Sequence, residues 1–172
     1  GFKEKEFDII YFLRAEKYKR LDRFNSIIGL LLKEGKRIVL VSQDIELLDK
    51  YRGLDVVCAK PSNDLELIRY IDRSKLMVLT SDFEGFSLPP LECMARGVPP
   101  ILYDCGGPQN YAKNMVNSIV LENIDNAPLL AAIMNLLADN ELYEYLSKNA
   151  RVEAGKFNYS MELQRFTKEI IS

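Results

Sequence analysis

Short apolar runs that alternate with helical patterns are the feature of this sequence that most limits its fold. Six of these runs are typical of buried strands, and between them hydrophobic residues recur at helical spacing, as at Leu21, Phe24 and Ile28. This alternation predicts an α/β fold, a Rossmann-like doubly wound parallel sheet of about six strands. The predicted strands are 7–13, 38–41, 55–58, 76–80, 100–103 and 118–121.

Helices alone are predicted after the sixth strand. The helical segments are 127–138, 141–156 and 160–171, and Pro128 fits the first turn of the first one. Because no repeat, low-complexity segment or linker interrupts the chain, residues 1–172 are predicted to form one domain. The start at Gly1, without Met, is expected of a piece excised from a longer protein or of a processed start.

Composition excludes several classes of function. The net charge of −2 gives no reason to propose a nucleic-acid or membrane partner, and no apolar run is long enough to span a bilayer. The lack of histidine excludes Ser-His-Asp and Cys-His catalysis and His-ligated zinc within this chain. Cys58, Cys93 and Cys105 lack metal-ligand spacing, so we expect small buried residues in a reducing compartment.

The segment 81–92 carries the strongest functional signal. It follows the fourth strand, and ligands of open α/β sheets bind at the carboxyl ends of strands. Glu84 falls in a loop and Glu92 in the predicted first turn of a short helix, where the dipole favours an anion. A carboxylate suits the vicinal diol of a sugar. Taken alone, two such glutamates are more often a helix-start residue and a solvated loop residue.

Two backbone segments are candidates for ligand contact. The amides of 85–88 precede Pro89 and Pro90, where a helix is predicted to begin, and unpaired amides at such a terminus bind phosphate. Gly106 and Gly107 follow the fifth strand. They fit a close approach of backbone to ligand and a plain turn equally well.

A basic cluster follows the first strand. Its members are Arg14, Lys17, Lys19 and Arg20. A charge run is usually a solvated face, but Arg14 and Lys19 are placed to reach a diphosphate that needs cations for neutralisation. Asp82-Phe83-Glu84 loosely resembles an acidic metal motif; no further carboxylate cluster supports it, and no metal is expected.

Together these segments resemble a known family. Glu84-Gly-Phe-Ser-Leu-Pro-Pro-Leu-Glu92, then Cys-Met-Ala-Arg-Gly97-Val-Pro-Pro and Tyr103-Asp-Cys-Gly-Gly107-Pro, are similar to the retaining GT-B glycosyltransferases with an E-x7-E motif, family four (group 1). The resemblance extends from Arg14 and Lys19, which look like the family's Arg and Lys pair, to the aromatic element at 157–160. It implies that residues 1–172 are the carboxy-terminal, donor-binding half of a GT-B fold and that the amino-terminal acceptor domain is absent.

The resemblance also implies roles for individual residues. Glu92 would accept hydrogen bonds from the ribose hydroxyls, and Glu84 would hold the transferred sugar. Arg14 and Lys19 would stabilise the diphosphate leaving group. The donor-binding residues that it implies are Gly85, Phe86, Ser87, Leu88, Glu92 and Lys60, the last near the base.

Three positions depart from the family pattern. Ser87 stands where glycine is more usual, and Arg20 stands where glycine often follows the lysine. The segment 41–44 replaces a commoner glycine-containing turn, which puts donor contacts there in doubt.

The function implied is retaining transfer from a nucleotide-diphospho-sugar, with a UDP-sugar favoured, and without a metal or other cofactor. The acceptor would be a glycan, lipid or protein in bacterial cell-surface polysaccharide or glycoconjugate synthesis. The expected location is the cytoplasm, with peripheral membrane contact through the missing half. This chain alone is expected to bind donor and to transfer little or no sugar.

Two other functions remain as alternatives. One is a non-catalytic nucleotide-sugar-binding subunit with a GT-B-like fold and a regulatory or assembly role, which the sequence of the missing half would separate from an enzyme. The other is a Rossmann-type dinucleotide binder, which is disfavoured because no G-x-G-x-x-G follows the first strand.

Overall fold

The computed structural model describes residues 5–123 and 128–157, which form a parallel sheet covered by helices. The sheet has six strands in the order β3-β2-β1-β4-β5-β6. The strands are β1 Phe7–Phe12, β2 Ile38–Val41, β3 Val57–Ala59, β4 Ser74–Leu79, β5 Pro100–Tyr103 and β6 Ile119–Leu121. The helices are α1 Leu21–Lys33, α2 Ile45–Asp49, α3 Asp64–Asp72, α4 Leu88–Ala95, α5 Leu129–Ala138 and α6 Asn140–Gly155. The predicted fold class is confirmed.

Both faces of the sheet are buried, which is why the strands read as nearly continuous apolar runs. Ile9 and Tyr11 belong to one core, with Phe24 of α1 and Ile133 of α5. The intervening Ile10 belongs to the opposite core, which contains the inward faces of α3 and α4 and the end of α6. Successive side chains of β1 therefore point to opposite faces of the sheet, and each face is covered by one of the two helical layers of a doubly wound fold.

The strand order reverses at the centre of the sheet. β1 pairs with β2 on one side and with β4 on the other, in parallel register in both cases. Chain connections therefore diverge between β1 and β4, which opens a crevice at their carboxyl ends. The basic segment after β1 and the segment 81–92 after β4 both begin at this crevice.

Several boundaries differ from the predicted ones. β3 begins at Val57 rather than at residue 55, because the Val56 N–H is bonded to Leu54 in a turn. Pro128 caps α5 instead of lying in its first turn. Glu92 is the fifth residue of α4, and so lies one turn later than predicted. The predicted helix 160–171 lies outside the described residues.

The side chains at the start of α3 cap it without forming a reciprocal capping box. The side chain of Asn63 accepts a hydrogen bond from the Glu66 N–H at 2.9 Å. The Glu66 carboxylate accepts instead from the N–H of Ser62, one residue earlier than in the usual reciprocal box, at 2.7 Å. The start of α3, beside the end of β3, is thus held by side chains on both sides of the cap.

The cysteine prediction holds for two residues of three. Cys93 and Cys105 are buried, but Cys58 is exposed because β3 is the edge strand and its middle residue faces outward. All three thiols are free.

Candidate functional site

The centre of the site is an ion pair between the two loops that meet at the crevice. Lys19 ends a short 3-10 turn after β1, and its Nζ lies 2.7 Å from Oε1 of Glu84. The Ser81 hydroxyl donates to the same oxygen at 2.6 Å. Glu84 is only 7% exposed, so the alternative of a solvated loop residue is wrong. Oε2 of Glu84 accepts neither of these two bonds.

The loop after β5 supports Glu84 through its backbone. The Glu84 N–H donates to the carbonyl of Cys105 at 2.8 Å, and the Gly107 N–H donates to the carbonyl of Glu84 at 2.9 Å. A Cβ at Gly107 would overlap the Gly85 carbonyl. The glycine pair therefore allows a close approach of protein backbone to protein backbone, as the turn alternative for Gly106 and Gly107 expects.

The segment 85–88 keeps its backbone donors available. Among the described residues, the N–H groups of Gly85, Phe86, Ser87 and Leu88 donate no hydrogen bond. The next two residues of α4 are prolines, which have no N–H, so donors at this helix start come from the segment before them. An anion approaching this end of α4 would meet those amides.

Ser87 has an unusual backbone conformation. Its φ is 60° and its ψ is 97°, in a region that residues with a Cβ rarely adopt. The hydroxyl of Tyr111 lies 2.6 Å from the Ser87 carbonyl oxygen and 3.0 Å from that of Phe86, and the Tyr111 ring packs edge-on against Phe86. The departure from glycine at this position thus has a backbone consequence, and Tyr111 holds the segment in place.

A pocket of about 510 Å³ opens beside the ion pair. Arg14, which follows β1, and Glu92, the fifth residue of α4, line it. Its other walls come from the ends of β2 and β3 and from the starts of α3 and α4: Phe12, Val41, Ser42, Gln43, Pro61, Ser62, Asn63, Asp64, Leu67, Leu88 and Pro89. Arg14 also lines a small cavity of about 30 Å³ with Lys19 and Ser87. The exposed guanidinium-bearing residue Arg14 therefore connects the pocket to the ion pair.

The structure brings together most of the predicted residues but not all of them. Arg14, Lys19, Glu84, Ser87 and Glu92 lie around the pocket and the adjoining cavity. Gly85 and Phe86 lie on the exposed outer part of the loop. Lys60 is exposed and is not among the residues lining the pocket, although its neighbour Pro61 is.

Sequence reasoning treated the segment 41–44 only as a departure from the family pattern, but its residues shape the pocket from the other side. Gln43 spans the ends of β2 and β3, with its Nε2 donating to the Pro61 carbonyl at 2.9 Å. The Ser42 hydroxyl donates to the Leu13 carbonyl at 3.2 Å and so ties the end of β2 to the end of β1. The position of Gln43 two residues after the predicted strand 38–41 was the available signal. Tyr111 gave none, because it lies beyond the recognised segments.

Electrostatics around Glu84 disfavour a thiolate nucleophile. Burial, together with the nearby carboxylates of Glu84 and Asp104, raises the pKa of the Cys105 thiol to about 12. Cys105 therefore stays protonated at neutral pH. Within residues 5–123 and 128–157, no group of three or more His, Cys, Asp or Glu side chains could hold a metal ion. No helix in the same ranges is long and apolar enough to cross a bilayer.

Comparison with known families agrees with this geometry. The family model described as "Glycosyl transferases group 1" matches residues 1–153. The chain belongs to this family.

Its relatives are longer proteins. The N-acetyl-alpha-D-glucosaminyl L-malate synthase of Bacillus anthracis is 28% identical over 160 residues, which cover 88% of this chain and 41% of the relative. The poly(glycerol-phosphate) alpha-glucosyltransferase of Bacillus subtilis is 27% identical over 124 residues, which cover 67% of this chain and 18% of the relative. The chain thus spans less than half the length of either curated relative.

A solved structure shares the fold. The pneumococcal O-GlcNAc transferase GtfA, determined with UDP and GlcNAc, aligns with a TM-score of 0.74 at 19% identity over 98% of this chain and 36% of that one. At this level of identity the structural likeness shows the fold alone, the Rossmann-like half of a GT-B fold, and nothing about the ligand.

Proposed function

We propose that this chain is the donor-binding domain of a retaining glycosyltransferase that uses a nucleotide-diphospho-sugar, with a UDP-sugar favoured. The observation that carries the proposal is the continuity of the site. Arg14 lines both the 510 Å³ pocket that contains Glu92 and the small cavity that contains Lys19. An elongated ligand with a diol at one end and a diphosphate in its middle matches this order of groups.

The nucleoside would occupy the larger pocket. Glu92 would accept hydrogen bonds from the ribose hydroxyls, and the ends of β2 and β3 at Ser42, Gln43 and Pro61 would surround the base. The diphosphate would then lie toward Arg14 and Lys19, near the available amides of 86–88. The transferred sugar would reach Glu84, whose Oε2 is directed to neither Lys19 nor Ser81.

Charge develops on the departing diphosphate as the glycosidic bond of the donor breaks. Lys19, Arg14 and the backbone amides would stabilise that charge, and groups that are already in place need little reorganisation as it develops. Lys19 is held by Glu84 before any ligand arrives, so its orientation is set in advance. Under this proposal the transfer needs no metal ion. The acceptor would be a glycan, lipid or protein of bacterial cell-surface polysaccharide or glycoconjugate synthesis, bound with the help of an amino-terminal half.

Calorimetry with UDP, GDP, ADP and TDP, and with the matching sugar nucleotides, tests donor binding directly. We expect Glu92→Gln to weaken UDP by about 1.5–3 kcal/mol, since charge-assisted bonds are lost. Glu84→Ala should weaken mainly the UDP-sugar, while Glu144→Gln, on the exposed side of α6, serves as the control. Binding should survive EDTA. No binding of any of the four nucleotides at millimolar concentration would overturn the proposal.

Transfer is tested in a protein that contains both halves. Arg14→Ala and Lys19→Ala should lower turnover more than acceptor affinity, because their contribution grows with charge in the transition state. Donor binding by that protein without any sugar transfer would favour the non-catalytic subunit instead.

A further inference from the structure

A second charged cluster joins the same two segments as the Lys19–Glu84 pair, those that follow β1 and β4. The Asp82 carboxylate receives two guanidinium groups, from Arg20 Nη1 at 3.1 Å and from Arg23 Nη2 at 2.9 Å. The Asp82 N–H donates to the Tyr18 carbonyl at 2.8 Å. Side chain and backbone of one residue thus bind the segment after β4 to the segment after β1.

Arg23 anchors this cluster in the protein. Its side chain is 8% exposed, and its guanidinium lies 4.2 Å from the centre of the Tyr103 ring. Nη1 donates to the Thr80 carbonyl at 3.1 Å and Nη2 to Oδ1 of Asn123 at 2.9 Å. Asn123 in turn donates to the Asp82 carbonyl at 3.0 Å. A planar donor held on several sides fixes the carboxylate that it binds.

The cluster also reaches the backbone of Lys19. The Thr80 hydroxyl donates to the Lys19 carbonyl at 2.8 Å. Arg20 follows Lys19 in the left-handed conformation, with φ 49° and ψ 50°, which turns its side chain into reach of Asp82. The position at which the family pattern often has glycine therefore supplies a second guanidinium for Asp82.

We propose that Asp82 is a positioning residue, which acts with Arg20 and Arg23 to hold the Lys19 ammonium beside Glu84 where the second phosphate of the donor arrives. The inference rests on the proposed function for the identity of the ligand. The contacts of Asp82 with Tyr18, Arg20 and Arg23, called the clamp below, do not depend on that function. An unconstrained lysine side chain carries about 2 kcal/mol of rotamer entropy, part of which is lost when a ligand immobilises it. Because the backbone is fixed on both sides of the ion pair, Lys19 loses less of this entropy when the donor binds.

The experiment uses the 172-residue chain and two carboxylates of equal exposure. Asp82 and Asp72 are each 40% exposed and each bind a largely buried arginine, but Asp72 pairs with Arg96 before the amino-terminal ends of β4 and β5, away from the carboxyl-end crevice. Calorimetry gives the dissociation constants of UDP and UMP for the wild type, Asp82→Asn, Asp82→Glu and Asp72→Asn. Amide hydrogen exchange at residue 82, measured without ligand, reports the clamp independently of any nucleotide.

The expected result is a selective loss of diphosphate recognition. In Asp82→Asn the UMP-to-UDP ratio of dissociation constants should fall roughly fivefold. This factor corresponds to about half the free energy of one charge-assisted hydrogen bond. Asp82→Glu should restore part of the ratio, and Asp72→Asn should leave it unchanged. Exchange at residue 82 should be faster in Asp82→Asn only.

Four results would decide against the proposal or separate it from the proposed function. An unchanged ratio in Asp82→Asn, or an equal loss in Asp72→Asn, overturns the positioning role. If the wild type binds no nucleotide, the proposed function fails, and unchanged exchange at residue 82 in Asp82→Asn then overturns the clamp as well. Faster exchange confined to that variant supports the clamp even in that case.

Discussion

The Lys19–Glu84 ion pair should contribute measurably to stability, in addition to any role with a ligand. The two side chains are 20% and 7% exposed and lie 2.7 Å apart. The two residues are 65 positions apart in sequence, so the pair joins one loop after β1 to another after β4. We expect Lys19→Met to destabilise the chain because it leaves Glu84 buried without its cation.

The magnitude follows from the burial of each partner. Removing one member of a fully buried pair costs about 3–5 kcal/mol, and the partial exposure of Lys19 and the remaining Ser81 bond reduce this to about 2 kcal/mol. Glu84→Gln should cost about 1 kcal/mol, since the lysine can turn toward water. The double variant should also cost about 1 kcal/mol, which gives a coupling free energy of about 2 kcal/mol.

Urea unfolding of the four proteins in the double-mutant cycle measures this coupling. Lys19→Met should also lower Tm by about 4–8 °C for a chain of this length. The exposed pair Arg52–Asp49, with side chains 72% and 43% exposed at 2.8 Å, is the matched control and should give a coupling near zero. A Lys19–Glu84 coupling as small as that of the control would refute the argument that burial makes this pair structural.

Three further predictions concern separate features. Ser87→Gly should raise Tm, with a net gain of about 0.5–1 kcal/mol, because it removes a Cβ from a positive-φ position; an unchanged or lower Tm would contradict strain there. Burial lowers the pKa of Lys5 from its ordinary value of 10.5 to about 8, so the unfolded chain binds more protons between those values and stability should rise with pH there. Urea midpoints at about pH 7.5 and about pH 9.5 should show this rise, and Lys5→Met should abolish it. Thiol titration of the folded chain should show one fast cysteine, removed by Cys58→Ser, since Cys93 and Cys105 are buried; a second fast thiol would contradict their burial.

The sheet could be predicted from sequence because local pattern and global burial agree. A strand buried on both faces, such as β2 at Ile38–Val41, must be apolar throughout, and it was predicted with its observed bounds. The start of β3 was displaced because the apolar run extends back to Val56, whose N–H is bonded to Leu54 in a turn and not to a neighbouring strand. The burial pattern of an edge strand is set by its neighbours and not by its own sequence.

The site was predictable to the extent that its residues follow strands directly. Arg14, Lys19 and Glu84 lie just after β1 and β4, and topology brings the carboxyl ends of these strands together. The supporting contacts were not predictable in this way. Tyr111 reaches the Ser87 carbonyl across 24 positions and Arg23 reaches Asn123 across 100, and no local pattern encodes a pairing of that range.

The two positive-φ residues near the site show how a glycine position can be filled by another residue. Arg20 and Ser87 both adopt conformations that favour glycine, and each lies beside a group proposed to meet the donor. Such conformations cost free energy and persist only where surrounding contacts determine them. At Arg20 those contacts are the carboxylates of Asp22 and Asp82, and at Ser87 the contact is the Tyr111 hydroxyl. With a residue other than glycine at both positions, the backbone beside Lys19 and at the amides around Ser87 has fewer accessible conformations. Under the proposed function, these groups are then in place before a ligand arrives, as electrostatic catalysis by preorganised groups requires.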